Sequence, residues 1–189
     1  GVVNNKVSNH FFFFFLSRGI PTHYVEQLSD RETAVRRVEI LPVEVIVRNR
    51  AAGSFSKRMG VEEGTNLACP ILEYSYKNDE LGDPFINSYY IRALNIATDE
   101  EMEQVKNYSF QINDILKSYL DGFGIELIDF KLEFGRFDGK VILADEISPD
   151  TCRFWDKATG KKLDKDRFRR DLGDVEEAYR EIISRLMGE

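Results

Sequence analysis

Charged residues alternate with apolar ones in a stretch near the C-terminal third of the chain, from Ile128 to Asp150. Asp129, Lys131 and Glu133 recur at every second position, which places all three on one face of a β-strand. Asp145 follows the apolar strand that returns after an Asp-Gly turn. Two carboxylates beside a lysine are suited to Mg²⁺ that is bound to a nucleotide. The alternative is a solvated amphipathic hairpin in which Lys131 neutralises the acids.

The length of the hairpin loop decides which residues of the two strands face each other. A three-residue loop, Asp138-Gly139-Lys140, sets Glu133 opposite Asp145. A two-residue Asp-Gly loop sets Glu133 opposite Ala144 and puts Asp145 on the other face. A metal site shared by Glu133 and Asp145 favours the odd-length loop or an equivalent bulge, and this is the register that we predict.

A second candidate site lies upstream, in the basic segment Arg48–Arg58. Four cationic side chains flank a run of small residues that includes Gly53 and Ser54. Small residues let a ligand approach the backbone, and arginine binds phosphate through two parallel hydrogen bonds. The segment therefore indicates a phosphate site, with a basic surface loop as the alternative.

Composition limits the class of protein. The 189 residues carry a net charge of −7, which argues against a general nucleic-acid binder. The longest apolar run, Phe11–Leu16, is too short to span a bilayer, so we expect no membrane partner. Two distant cysteines give neither a disulfide framework nor metal-ligand spacing, and the cytoplasm is the simplest compartment. His10 and His23 lack acidic or cysteine neighbours, and we interpret both as structural.

Hydrophobic periodicity predicts the elements around these segments. Helices are expected over residues 3–17, 98–120 and 175–187, the second with a capping box of Thr98 and Glu101. Strands are expected over 24–28, 34–40, 43–48 and 72–76, with Pro42 interrupting two of them.

Four blocks of the chain closely resemble the phosphoribosylaminoimidazole-succinocarboxamide synthase (SAICAR synthetase) family. They are VRNRAAGSFSKRMGVEEG (47–64), IDFKLEFG (128–135), LADEISPDTCRFWD (143–156) and LDKDRFRRDLG (163–173). The resemblance implies an ATP-dependent ligase of de novo purine synthesis that joins L-aspartate to carboxyaminoimidazole ribonucleotide (CAIR). It also implies an acyl-phosphate intermediate, and ATP and Mg²⁺ as cofactors.

Site residues follow from the resemblance, position by position. The ribonucleotide substrate is assigned to Arg48, Ser54 and Arg153, and Lys77 and Asp83 are assigned as further substrate-binding residues that face the cleft. Lys131 and Asp129 are assigned catalytic roles, and the metal is assigned to Glu133 and Asp145. ATP binding is assigned to Val38, Glu39, Ile40, Lys131, Glu133 and Asp145.

The resemblance further implies an α+β fold with a two-lobe architecture related to ATP-grasp enzymes and kinases. Residues 1–40 would be a remnant of the N-terminal lobe with the hinge, and residues 41–189 the C-terminal lobe with the substrate and metal sites. Because the chain starts at Gly1 rather than at methionine, we expect that most of the N-terminal β lobe is absent. A kinase-like phosphotransferase and a non-catalytic nucleotide-binding fragment are the rival interpretations, and a homo-oligomer is one option for the assembly.

Overall fold

The computed structural model describes residues 1–170 and 173–188. In that part of the chain the helices are α1 (Val2–Ser17), α2 (Gly53–Met59), α3 (Ser88–Ala93), α4 (Asp99–Asp121), α5 (Asp166–Arg169) and α6 (Val175–Met187). The strands are β1 (Tyr24–Gln27), β2 (Thr33–Val35), β3 (Glu39–Arg50), β4 (Asn66–Tyr76), β5 (Phe85–Ile86), β6 (Ile125–Phe137), β7 (Lys140–Ala144) and β8 (Cys152–Asp156). The predicted mixed α+β class is confirmed.

The centre of the fold is an antiparallel sheet in the order β5-β4-β3-β6-β7, and β8 pairs with the first half of β6. Strand β3 turns Val43, Val45 and Val47 into the core, each with at most 2% of its surface exposed. The period of two then leaves Glu44 and Arg48 on the opposite face. One face of the sheet thus packs on the core, and the other face is free to carry polar side chains.

Helix α4 covers the core face of the sheet. Its N-terminus has the predicted capping box, in which Thr98 accepts from the Glu101 amide and Glu101 accepts from the Thr98 amide. Because capping satisfies two amides that lack helical partners, it fixes where the helix begins. Its buried stripe includes Val105, Ile112 and Leu116.

Helix α1 buries three of its five consecutive phenylalanines. Phe11, Phe12 and Phe15 are at most 2% exposed and belong to the same core cluster as α4 and β6, whereas Phe13 is 67% exposed. The helix begins at Val2, one residue before the predicted start. The division of the chain into lobes at residue 40 stays a prediction.

The predicted break at Pro42 is wrong. Strand β3 runs without interruption from Glu39 to Arg50, and the irregular backbone lies earlier, at residues 36–38. The pairing of β3 with β6 shifts register between Ile40 and Glu44, so Pro42 lies within the irregularity. Its missing N–H is not needed by the ladder there, which explains why the strand tolerates a proline.

The predicted hairpin register is also wrong. Phe137 pairs with Lys140, so the loop has two residues, and Glu133 lies opposite Ala144. Asp138 and Gly139 have φ values of 53° and 74°, the positive pair that a two-residue type I′ turn requires. Asp145 nevertheless does not continue on the far face, because β7 ends at Ala144 and Asp145 itself has φ 60°.

No helix in residues 1–170 and 173–188 is long and apolar enough to cross a membrane. Cys69 is exposed and Cys152 is buried, and both are free thiols.

Candidate functional site

Strand β6 provides the axis of the site. Asp129, Lys131, Glu133 and Gly135 succeed one another on the same face of this strand. At about 3.3 Å per residue, this row extends over roughly 20 Å. Arginines meet one end of the row, a lysine–carboxylate cluster meets its middle, and the segment Val38–Ile40, where β3 begins, meets its other end.

Two arginines meet at Asp129. Arg48 Nη1 donates to Asp129 Oδ2 at 3.1 Å, and Arg153 Nη1 lies 3.0 Å from both Asp129 oxygens. Arg48 and Asp129 are at most 3% exposed. Burial raises the pKa of Asp129, while the two guanidinium groups act in the opposite direction. A buried carboxylate shared by two arginines fixes both side chains beside one another.

Further acids hold the outer sides of the two arginines. Arg48 Nε donates to Glu73 Oε2 at 3.0 Å, and Arg153 Nε donates to Asp166 Oδ2 at 2.7 Å. Arg48 Nη2 also donates to Ser54 Oγ at 3.3 Å. The resulting arginine cluster (Arg48, Asp129, Arg153 and their acids Glu73 and Asp166) is a series of alternating charges, of which Arg48, Asp129 and Asp166 are buried and Glu73 and Arg153 are partly buried.

Gly53 lies directly against this cluster. A Cβ atom at this position would stand 2.3 Å from Arg153 Nη2 and 2.7 Å from its Cζ. Gly53 also has φ 54°, a left-handed conformation that favours glycine. The small residue that the sequence suggested for close approach of a ligand therefore makes room for a guanidinium group.

A cleft with a volume of about 250 Å³ opens over the arginine cluster. Its lining consists of Ile46, Arg48, Ser54, Asp129, Phe130, Lys131, Asp150, Thr151, Cys152 and Arg153. A neighbouring hollow of about 480 Å³ shares Ser54 and Arg153 with the cleft and adds Lys57 and Arg170. The combined surface carries arginines, lysines and hydroxyl groups beside the acids Asp129, Asp150, Asp166 and Glu63. Its arginines suit a phosphorylated ligand.

The lysine–carboxylate cluster follows along β6. Glu133 Oε2 accepts from Lys77 Nζ at 2.8 Å, and Glu133 Oε1 lies 3.3 Å from Lys131 Nζ. Lys131 Nζ also lies 3.8 Å from Glu44 Oε1 and 4.0 Å from Asp145 Oδ2. Glu133 and Asp145 therefore approach the same ammonium group, although the strand register does not oppose them.

The acids in this cluster repel one another. Burial and the neighbouring Glu133 raise the pKa of Asp145. Burial likewise raises the pKa of Glu44. Burial alone lowers the pKa of Lys131, but the surrounding carboxylates raise it above its usual value. A cation that binds here would relieve the repulsion between the acids.

The segment Val38–Ile40 packs beside the end of this row. Ile40 pairs with Gly135, and a Cβ atom on Gly135 would stand 2.6 Å from Val38 Cγ2. Glu39 forms an ion pair with Arg136 at 3.1 Å. Gly135 thus lets the start of β3 and the residue before it, Val38, lie close to the polar face of β6.

Besides burial, the negative charge of the nearby Asp83 raises the pKa of Glu44. The hydrogen bond of Asp83 itself is made within its own loop. Asp83 Oδ1 accepts from the backbone amide of Asn78 at 2.8 Å. This bond holds the loop after β4, the strand that Lys77 directly follows. Asp83 is therefore in a position to support Lys77 rather than to reach the arginine cluster.

A protein-only metal site is not present in the described part of the chain, where no group of three or more metal-binding side chains comes together. Mg²⁺ usually takes one or two carboxylates and completes its shell with water and phosphate oxygens. Glu133 and Asp145 fit that requirement in number, in donor type and in their mutual repulsion.

Sequence reasoning assigned no role to several residues of the site. Glu44 alternates with the buried valines of β3 and shares the parity of Arg48, so its place on the polar face could have been predicted. Glu73 and Asp166 gave no comparable signal, since their partners are distant in sequence. Asp171 and Leu172 of the fourth family block lie outside the described residues.

Comparison with known proteins gives consistent matches over nearly the whole chain. The family model of SAICAR synthetase matches residues 1–186. A phosphoribosylaminoimidazole-succinocarboxamide synthase of Lachnoclostridium phytofermentans is 59% identical over 186 residues, covering 98% of this chain and 79% of the relative. The crystal structure of the synthase from Ehrlichia chaffeensis is similar with a TM-score of 0.96 and 46% identity, over 98% of this chain and 80% of that one. A SAICAR synthetase in complex with ADP matches with a TM-score of 0.96 and 48% identity, over 99% of this chain and 80% of that one.

Proposed function

This chain belongs to the SAICAR synthetase family of enzymes, and we propose that it joins L-aspartate to CAIR through an acyl phosphate. The family identity supports ATP-dependent ligation in purine biosynthesis. The resemblance of the site segments to the family supplies the finer substrate assignment.

The proposed reaction has two balanced steps. The carboxylate oxygen of CAIR attacks the γ-phosphorus of ATP, and the bond to the β-phosphate oxygen breaks to release ADP. The aspartate amine then attacks the acyl carbon, phosphate leaves with the C–O bond electrons, and the amine loses a proton. Phosphorylation is needed because a carboxylate oxygen is a poor leaving group. The protein's contribution is to position the two substrates and to stabilise the transferred charge.

The order of groups along β6 is the observation that carries this proposal. Val38–Ile40, beside Gly135, would receive adenine, and Lys131 with Glu133 would meet the phosphates of ATP. Arg48, Ser54 and Arg153 would hold the ribonucleotide phosphate at the other end of the row. The reacting carboxylate of CAIR would then lie between the two ends, near Lys131.

Lys77 and Asp83 receive supporting roles in the same scheme. Lys77 would hold Glu133 in place through its 2.8 Å hydrogen bond, and Asp83 would hold the loop that carries Lys77. Asp129 would orient both arginines, since each of its oxygens accepts from a guanidinium group. This assigns Asp129 to positioning rather than to proton transfer.

Mg²⁺ would be held by Glu133 and Asp145, and when bound it neutralises charge on the nucleotide phosphates. Lys131, which now lies beside both acids, would turn towards phosphate oxygens, while Lys77 would stay on Glu133. Lys131 is suited to this because carboxylates keep it protonated, with its pKa above the usual value.

The test is a complete assay with the full-length enzyme. ATP, Mg²⁺, L-aspartate and CAIR should give SAICAR, ADP and phosphate in equal amounts. Incubation with ¹⁸O-labelled CAIR carboxylate should transfer one label to the released phosphate, because the acyl phosphate loses that oxygen. ADP release that needs no aspartate would favour a phosphotransferase, and unlabelled phosphate would refute the acyl phosphate.

A further inference from the structure

One buried acid of the fold has no part in the proposed reaction. Asp164 precedes α5 and has no exposed surface, although it is a carboxylate. Its Oδ2 accepts from the backbone amide of Phe154 at 2.8 Å, and its Oδ1 accepts from the backbone amide of Asp166 at 2.8 Å. The first of these amides neighbours Arg153 in β8, and the second belongs to the acid that binds the Arg153 side chain.

We propose that Asp164 is a positioning residue for Arg153, which it keeps directed into the cleft for the ribonucleotide. The inference rests on the proposed role of Arg153 in binding that substrate. It concerns a residue that contacts neither substrate nor nucleotide.

The connection runs through a closed ring of contacts. Arg153 Nε donates to Asp166 Oδ2 at 2.7 Å, the Asp166 amide donates to Asp164, and Asp164 returns to β8 at Phe154. The Leu163 amide also donates to the Phe154 carbonyl at 2.8 Å, which holds the same segment against β8. The closed ring therefore ties Asp166 to β8 through Asp164, and Asp166 in turn holds the Arg153 side chain.

Asp164 suits this position because both of its neighbours are N–H donors. A carboxylate accepts from two donors with its two oxygens, whereas an amide of the same size would turn an NH₂ group towards one of them. An unmatched buried donor is unfavourable, so the loop would move away from β8. Arg153 Nε would then lose its hydrogen bond to Asp166, and only the contact of Nη1 with Asp129 would still orient the side chain.

The experiment compares Asp164→Asn with Asp156→Asn in the full-length enzyme at pH 8, above the pKa of about 7 that burial gives Asp164. Asp156 is a matched control, since it is also a buried acid, the last residue of β8, and accepts from a backbone amide, that of Thr159, at 2.9 Å. Its ion-pair partner is Arg185, on α6, rather than Arg153. Both variants should unfold at a lower temperature.

The expected result is a KM for CAIR that rises on the order of ten-fold in Asp164→Asn and stays unchanged in Asp156→Asn. The KM for ATP should be unchanged in both variants. When Arg153→Met is combined with Asp164→Asn, the second substitution should add nothing, because both act on the same side chain. Equal KM values for CAIR in the two asparagine variants, or full additivity with Arg153→Met, would overturn the inference.

Two further comparisons cover the cases in which Asp164→Asn does not fold or Arg153 does not bind the ribonucleotide. If Asp164→Asn does not fold, Asp166→Asn removes the next member of the ring and should raise the KM for CAIR while the KM for ATP stays the same. If Arg153→Met itself leaves the KM for CAIR unchanged, the proposed role of Arg153 falls and the inference falls with it. If Arg153→Met raises that KM but Asp164→Asn and Asp166→Asn do not, the inference alone is refuted.

Discussion

Replacing Gly53 with alanine should selectively weaken binding of the ribonucleotide. The new Cβ atom would stand 2.3 Å from Arg153 Nη2, so the guanidinium group must retreat by about 1 Å to reach an ordinary contact of 3.4 Å. That movement lengthens its hydrogen bonds to Asp166 and Asp129, now 2.7 Å and 3.0 Å. Loss of a charge-assisted contact to substrate phosphate costs about 1.5–3 kcal/mol, which corresponds to a KM for CAIR raised roughly 10- to 150-fold.

Gly60→Ala is the matched control for this prediction. Gly60 directly follows α2, the helix that begins at Gly53. It has φ 64°, and a Cβ atom at this position would have no neighbour within 4 Å. Both substitutions therefore carry the left-handed backbone cost of about 1–2 kcal/mol in unfolding free energy, but only Gly53→Ala displaces an arginine. Steady-state kinetics with varied CAIR at saturating ATP and aspartate measures the difference. If the two variants raise this KM equally, the clash with Arg153 has no functional effect and the reasoning is refuted.

Three other predictions concern separate parts of the molecule. Glu133→Gln should lower kcat by about 100-fold or more with an unchanged circular dichroism spectrum, and wild-type kcat would remove Glu133 from the metal site. Gly135→Ala should push Val38 away from β6 and raise the KM for ATP but not for CAIR, since its Cβ would stand 2.6 Å from Val38; the reverse pattern would contradict the adenine assignment. His23 packs against Phe12, and burial lowers the pKa of His23 from 6.5 to about 4. As the pH falls, the imidazole of His23 is therefore protonated in the unfolded chain before it is protonated in the folded protein. About 2 kcal/mol of unfolding free energy, after allowance for solvent screening, should be lost as the pH falls from 6.5 through 4. Urea unfolding of His23→Phe should lack this loss, and an equal loss in the variant would refute it.

The elements with strong local signals could be predicted from the sequence. Helix α4 follows from its capping box and its apolar stripe, and β6 follows from its strict alternation. Asp129, Lys131 and Glu133 could be placed on one polar face because parity within a strand determines the face. These signals depend on neighbours in the sequence, and each was sufficient without knowledge of the fold.

The remaining features depend on contacts between distant segments. The hairpin loop has two residues rather than three because Asp138 and Gly139 both adopt positive φ, as a type I′ turn requires. The shared metal site, on which the prediction of a three-residue loop relied, does not determine the turn. Asp145 reaches Lys131 through a left-handed backbone conformation after β7, which no alternation rule can predict. Glu73 and Asp166 belong to the site because the fold brings β4 and α5 beside the arginines, and this proximity has no signal in the sequence.

The chain has a single tryptophan, Trp155, and it lies two residues after Arg153 on the same face of β8. It is 7% exposed, and Lys162 Nζ lies 4.0 Å from the centroid of its ring. An indole in such a setting changes its emission when the adjoining segment shifts, and no other indole in these 189 residues contributes to the signal. The unlabelled protein thus carries an optical reporter beside its arginine cluster, which allows ligand titration and stopped-flow kinetics by intrinsic fluorescence.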